Sequence, residues 1–263
     1  MAQPEEQRNE TAKPRDADQM GGFAKGLAVI EAFGQGRQAL TIAEAARLSG
    51  LDRATARRCL LTLVKAGYAA TDGRYFELTP RILRLGHSYL AASMPRLIQP
   101  SLDQLADKLH QSCSASVLDG NEVVYIARAT QHRLLGVGLH PGSRLPAYCT
   151  SMGRVLLAAL PPEQARSLLA ASERQKLTSR TLTDLDELMV ELDKVRSQGY
   201  AIIDQELELG SRSIAVPIRD LSRQTVAAFN VRVHAAHSTL ERMHEEFLPQ
   251  LLEAQAQLAE ILT

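Results

Sequence analysis

Two groups of residues in this chain have types and spacings that can do chemistry. The first lies in DRATARRCLLTLVK, from Asp52 onward, where Ala56, Cys59, Leu60, Leu63 and Val64 recur at the spacing of one buried helical stripe. At about 100° per residue Arg58 and Lys65 fall opposite that stripe, and Arg53, Thr55 and Arg57 fall on its flanks. Such a face suits a DNA major groove, where Arg reads guanine edges and hydroxyls hold phosphates. The same pattern also describes an ordinary helix with a solvated charged side. The second group belongs to the C-terminal half. Thr150, Ser151, Met152 and Gly153 stand where a loop enters a helix, so free N–H groups and the helix dipole can hold a carboxylate, or Thr150 or Ser151 can simply cap the helix. Asn230 and Arg232 share one face of the strand AAFNVRV, opposite Phe229, Val231 and Val233. An Arg within an apolar strand calls for an anion, either a ligand carboxylate or one of Asp204, Glu206 and Glu208.

Other chemistries find little support. The run Thr150-Ser151-Met152-Gly153-Arg154 is not the G-x-S-x-G turn of hydrolases. His234 and His237 have a two-ligand spacing with no third ligand on the same element, so no metal is expected. Cys59, Cys113 and Cys149 are widely spaced and form no C-x-x-C pair, which excludes a disulfide framework and a cysteine zinc site. No glycine-rich phosphate cradle is present, and no cofactor is expected.

The elements that must position these residues can be read from caps and breakers. Thr41 with Glu44 fits a capping box, Gly50 ends the helix it opens, and Asp52 can cap the next. Asp72-Gly73 between β-rich runs predicts a hairpin, hence a wing that would bring Arg74 to a phosphate or the minor groove. Thr79-Pro80 predicts a linker helix whose Ile82, Leu83, Leu85, Tyr89 and Leu90 would pack partly on a second copy. Beyond it SASVL, VVYIARA and LLGVGL read as strands, as do the stretches around 200–204, 213–218 and 227–233. Thr183 with Asp186 is expected to cap one helix, and Ser238 with Glu241 another that Pro249 interrupts. Helices at both ends of a strand-rich middle predict an α+β domain, an antiparallel sheet covered on one side by helices.

Net charge is zero, but its distribution is not even: residues 23–92 carry +5, the preceding tail and the remainder being negative. That places positive charge around the candidate reading helix. The first 22 residues are polar and predict a disordered tail without the apolar centre of a secretory signal. No run approaches the roughly 18 apolar residues of a membrane span, so a cytoplasmic protein with no membrane partner is expected. The expected division is a tail at 1–22, a winged helix–turn–helix at 23–79, a linker helix at 80–94 and an effector-binding and oligomerisation domain at 95–263.

The order of these motifs resembles the IclR-type family of bacterial transcriptional regulators over nearly the whole length after the tail. The matching pieces are FAKGLAVIEAF, TIAEAARLSGLDRATARRCLLTLVKAGY, DGRY, FELTPRILRLG, LPAYCTSMGRVLLA and QGYAIIDQELELGSRSIAVPI. RLPAYCTSMGRVLLA is most similar to the branch controlling protocatechuate, 4-hydroxybenzoate and β-ketoadipate catabolism. The resemblance implies a homodimer or homotetramer with an N-terminal winged helix and a C-terminal GAF-like effector pocket. It further implies binding to double-stranded promoter DNA at palindromic sites, under the control of a small organic acid. It also implies that the loop 150–153 borders the pocket and that Ser213 and Asp204 occupy polar pocket positions. Asn230 and Arg232 stand where relatives that take two- or three-carbon acids carry hydroxyls, a departure favouring a second or longer-reaching acid group. A regulator of another organic-acid pathway, an enzyme acting on a small acid with an appended winged helix, and a C-terminal module serving only oligomerisation are the competing expectations.

Overall fold

The capping box at Thr41 forms as its residue types require: the Glu44 amide donates to Thr41 Oγ1 (3.3 Å) and the Thr41 amide to Glu44 Oε2 (3.0 Å). In this computed structural model, which describes residues 20–34, 38–85, 93–130, 139–220 and 222–261, the chain divides into two units, 1–88 and 89–263. The tail up to 19, the stretch 86–92 of the expected linker helix, and most of the expected strand LLGVGL lie outside the described residues.

The first unit contains α1 (Gly21–Glu31), β1 (Ala39–Leu40), α2 (Ile42–Ser49), α3 (Arg53–Lys65), β2 (Ala69–Thr71) and β3 (Phe76–Leu78). Gly50 takes a left-handed φ of 67° and ends α2, and Asp52 caps α3 by accepting the Thr55 amide at 2.9 Å. Val29, Leu40, Ala45, Leu60, Leu63 and Phe76 close one core, each large apolar side chain contributing about 1.5–3 kcal/mol by leaving water. The three strands pair in the order β1-β3-β2. The wing departs from the expected tight turn. Thr71 pairs with Phe76, so the loop spans four residues, and only Gly73 has positive φ (97°). Asp72 closes this wider loop by accepting the amides of Arg74 (2.8 Å) and Tyr75 (2.7 Å). The helix expected from Thr79-Pro80 opens as a 3-10 turn, Pro80–Ile82, because the Thr79 hydroxyl donates to the Gly67 carbonyl (2.6 Å) instead of capping.

The second unit is built on a six-stranded sheet in which every pairing is antiparallel, in the order β6-β5-β4-β9-β8-β7. Its strands are β4 (Ser112–Asp119), β5 (Glu122–Ala129), β6 (Arg144–Pro146), β7 (Ala201–Asp204), β8 (Ser211–Arg219) and β9 (Thr225–His234). Helices cover both faces, not one. On one side α4 (Ser93–Leu109) and α8 (Leu248–Ala259) bury Ile98, Leu102 and Leu251 against Val216, Phe229 and Val231. On the other, α5 (Ser151–Ala158), α6 (Pro162–Ala170) and α7 (Leu185–Gln198) bury Met152, Val155, Leu188 and Leu192 against Tyr125, Ala215 and Ala228. Neighbouring residues on one strand serve opposite cores, so a sheet apolar on both faces needs two helical layers.

Two expected caps move by one residue. Asp184 rather than Thr183 caps α7, because a single oxygen of its carboxyl group accepts the amides of both Asp186 and Glu187. Thr239 rather than Ser238 caps the C-terminal helical segment. Pro249 has no N–H to donate. The chain answers with a π-turn at Met243–Phe247 and continues into α8 rather than breaking.

Candidate nucleic-acid interface and effector site

On α3 the side chains of Arg53, Arg57, Arg58 and Lys65 are exposed, as is Arg74 on the wing, where its guanidinium lies over the Tyr75 ring (5.2 Å to the centroid). Together they form a cationic surface on one unit, without an ion pair among the described residues. Thr55 does not belong to that surface. It is 7% exposed, and its hydroxyl accepts from the Arg58 guanidinium at 3.2 Å, because its flank of the helix is turned into the protein. Arg58 is thereby held on the side of α3 that faces α1, whereas Arg53 and Arg57 are not so tied.

The pairing register assembles the second site. Ser114 on β4 stands opposite Arg128 on β5 and Asn230 on β9, and Arg232 stands opposite Ser213 on β8, so these residues share one face of the sheet. Over that face lies a cavity with about 360 Å³ of atom-free space, bounded by Thr150, Ser213, Asn230 and Arg232. Cys149, Tyr125, Leu139, Ile203, Leu207 and Ser211 complete the wall, and of these only Cys149 stands out in the sequence. As it stands the cavity is tight, with room for about one water, so a ligand must spread its walls. The Asn230 amide makes no side-chain hydrogen bond among the described residues, and its Oδ1 is buried. The Ser151 hydroxyl is likewise buried without a partner. Buried polar groups are rarely left so, and of the two only Asn230 borders the cavity.

The loop 150–153 divides its tasks. Thr150 caps α5, its Oγ1 accepting the Gly153 amide at 3.2 Å, which leaves the amides of Ser151 and Met152 without an intrahelical partner. Met152 is packed inside, its sulfur accepting from Ser116 Oγ at 3.3 Å. Gly153 is required by packing: a Cβ there would lie 2.2 Å from the Ala147 carbonyl oxygen, so the absent side chain admits a neighbouring turn of chain and not a ligand. Burial pushes the Cys149 thiol up to about 12, leaving it protonated and inert at neutral pH.

The three alternating carboxylates each take an arginine. Asp204 faces away from the cavity, since Ile203 beside it lines the wall. It accepts from Arg212 (2.5 Å) and from Arg180. Burial alone would raise its pKa, but hydrogen bonds from Arg212 and Gln205 and the charges of Arg212 and Arg180 outweigh that and lower it. The structure therefore does not bring Asp204 to the other pocket residues. Glu206 meets Arg154 at 2.7 Å with both side chains buried, and also accepts the Leu182 amide. Glu208 pairs with Arg232 at 2.5 Å, while Arg232 Nε donates to Ser211 Oγ (2.8 Å). Arg232 thus both lines the cavity and has an internal partner. Among the described residues no group of three His, Cys, Asp or Glu is placed to hold a metal, and no helix is long and apolar enough to cross a membrane.

Comparison with known proteins agrees with this two-unit construction. Residues 23–73 match the IclR helix-turn-helix domain, and residues 90–260 match the bacterial transcriptional regulator IclR C-terminal family. The Pca regulon regulatory protein of Pseudomonas putida is 48% identical over 246 residues, spanning 92% of this chain and 84% of that protein. The inducer-binding domain of the PobR transcription factor from Acinetobacter, solved as a double mutant with 3-hydroxybenzoic acid, is 32% identical and superposes with a TM-score of 0.62 over 65% of this chain and all of that one. An IclR homologue from Microbacterium hydrocarbonoxydans, solved with 4-hydroxybenzoate, is 26% identical, with a TM-score of 0.75 over 92% of this chain and 99% of that one. The chain belongs to the IclR family of bacterial transcriptional regulators, proteins that bind DNA and respond to a small organic acid.

Proposed function

We propose that this chain regulates genes of protocatechuate, 4-hydroxybenzoate and β-ketoadipate catabolism, and that its effector is an aromatic acid or dicarboxylate of that route. The observation that carries this reading is the sheet cavity, in which apolar walls from Ile203 and Leu207 meet the Arg232 cation and the unpartnered Asn230 amide. Apolar walls with a few polar groups fit a small acid with a hydrocarbon body. The similarity to a Pca regulon regulator supports the pathway, and the hydroxybenzoates bound by two structural relatives support the ligand class.

In this reading Arg53, Arg57, Arg58, Lys65 and Arg74 contact promoter DNA, and Thr55 serves the helix that presents them. The protein works in the cytoplasm as a homodimer or homotetramer. Phe23, Leu83 and Leu85 in the first unit leave large apolar surface in solvent, which supports packing against a second copy. Acid binding changes the relative placement of paired winged helices, so half-site spacing is matched in one state. Calorimetry with protocatechuate, 4-hydroxybenzoate, β-ketoadipate and pyruvate tests the effector class. Saturable, stoichiometric binding of at least one of the first three, with pyruvate weak or absent, is expected. Binding of pyruvate alone would assign the chain to another acid pathway, and turnover of a bound acid would make it an enzyme.

A further inference from the structure

We propose that Arg128, rather than Arg232, is the principal cation that holds the effector's carboxylate, with the Tyr125 phenol donating beside it. This rests on the reading that an organic acid occupies the sheet cavity. The two arginines lie on the same face but differ in what already neutralises them. Arg232 is paired with Glu208 and tied to Ser211. Among the described residues the Arg128 guanidinium donates to two neutral hydroxyls, Ser114 Oγ at 3.2 Å and Thr130 Oγ1 at 3.0 Å, and meets no carboxylate.

That arrangement leaves a surplus of positive charge. Burial lowers the Arg128 pKa, and the nearby Arg232 charge lowers it further. Arg128 shares the sheet face of Arg232 and stands just outside the residues that wall the cavity, and a half-buried cation without a carboxylate is an expensive arrangement that an acid spreading those walls would relieve. Arg can grip both carboxylate oxygens at once, which a lone ammonium cannot. Tyr125 is buried in the cavity wall and has no side-chain hydrogen-bond partner among the described residues. Burial raises its pKa, outweighing the two arginine charges that pull it down, so the phenol stays protonated and remains a donor. Asn230, one strand beyond Ser114, then supplies the amide for a second polar group on the ligand. The ligand class that satisfies all three is a small carboxylic acid bearing a hydroxyl or a second oxygen function several bonds away.

The test is calorimetry of the full chain with protocatechuate, 4-hydroxybenzoate and β-ketoadipate, comparing wild type with Arg128→Gln, Arg232→Gln and Glu208→Gln. Arg128→Gln is expected to weaken the best-bound acid by about tenfold to a hundredfold, the range for a charged hydrogen-bonding partner. Arg232→Gln should lose less, and Glu208→Gln should bind as well as wild type or better. A larger loss in Arg232→Gln, or no loss in Arg128→Gln, overturns the proposal. Thermal melting without ligand supplies an independent reading. Removing an uncompensated cation leaves the Arg128→Gln midpoint unchanged or raised, and a drop of several degrees would make Arg128 structural and overturn its role as the anchor. If wild type binds none of the three acids, it is the acid reading that fails.

Discussion

The two units carry their working charges in opposite ways. On α3 and the wing, Arg53, Arg57, Lys65 and Arg74 are exposed cations, which in the proposed reading meet a polyanion outside the protein. In the sheet unit arginines are held by carboxylates of the same unit: Arg232 at the cavity by Glu208, and beyond it Arg154 by Glu206 and Arg212 by Asp204. A surface that meets DNA gains from long-range attraction and needs little positioning. A pocket that must distinguish one small acid from another needs fixed groups, and fixing them means pairing or burying them.

This contrast predicts where substitutions do their damage. The largest effect belongs to Glu206→Gln, which leaves the Arg154 guanidinium, 2% exposed as a residue, without its carboxylate. Breaking such a buried pair removes about 3–5 kcal/mol, read as a lower urea midpoint for the sheet unit. A loss below about 1 kcal/mol would show water reaching that pair and would weaken the contrast. Gly153→Ala comes next. Its Cβ would lie 2.2 Å from a backbone oxygen, and the resulting shift of α5 should remove about 3 kcal/mol and loosen acid binding too. Unchanged stability there would mean that the loop 147–150 yields easily.

Arg57→Ala should spare stability and weaken operator binding by about 1–3 kcal/mol in a titration at fixed salt. Arg58→Ala should cost less, since Thr55 holds that guanidinium toward α1. The reverse order would relocate the groove-facing side of α3. The smallest effect concerns the cap of that helix. The Thr55 hydrogen bonds lower the Asp52 pKa below the ordinary carboxylate value. Its contribution is therefore present above the unfolded pKa near 4 and fades as pH falls through the lower folded value. Asp52→Ala should remove that part of the acid dependence of the first unit's stability. An unaltered pH profile would contradict the linkage.

The same contrast explains what the sequence made legible. The residues proposed to face DNA sit within one helix and one hairpin, so helical spacing, a capping box and Asp72-Gly73 were enough to place them on one surface. Thr55 was misjudged because flank positions of a helix are decided by what packs beside them, here α1 and the Arg58 side chain. The cavity draws on residues from Tyr125 to Arg232, joined only by strand register, and no local period announces that Ser114 stands between Arg128 and Asn230. Asn230 and Arg232 were visible because polar residues are costly in an apolar strand. Arg128 and Tyr125 sit in VVYIARA, where each alone reads as ordinary strand chemistry. Asp204 shared the alternation of Glu206 and Glu208 but lies on the far face of β7. A one-residue step along a strand reverses which side of the sheet a residue serves.

The central claim is that an acid in the sheet cavity controls DNA binding by the winged helix. It is tested most directly by titrating a promoter fragment from upstream of the chain's own gene, with and without the best-bound acid, using wild type and Asn230→Ala. Acid is expected to shift wild-type operator affinity, while Asn230→Ala binds DNA normally without acid and shows little shift at the same acid concentration. An equal shift in both proteins would place the controlling acid site elsewhere and contradict the account.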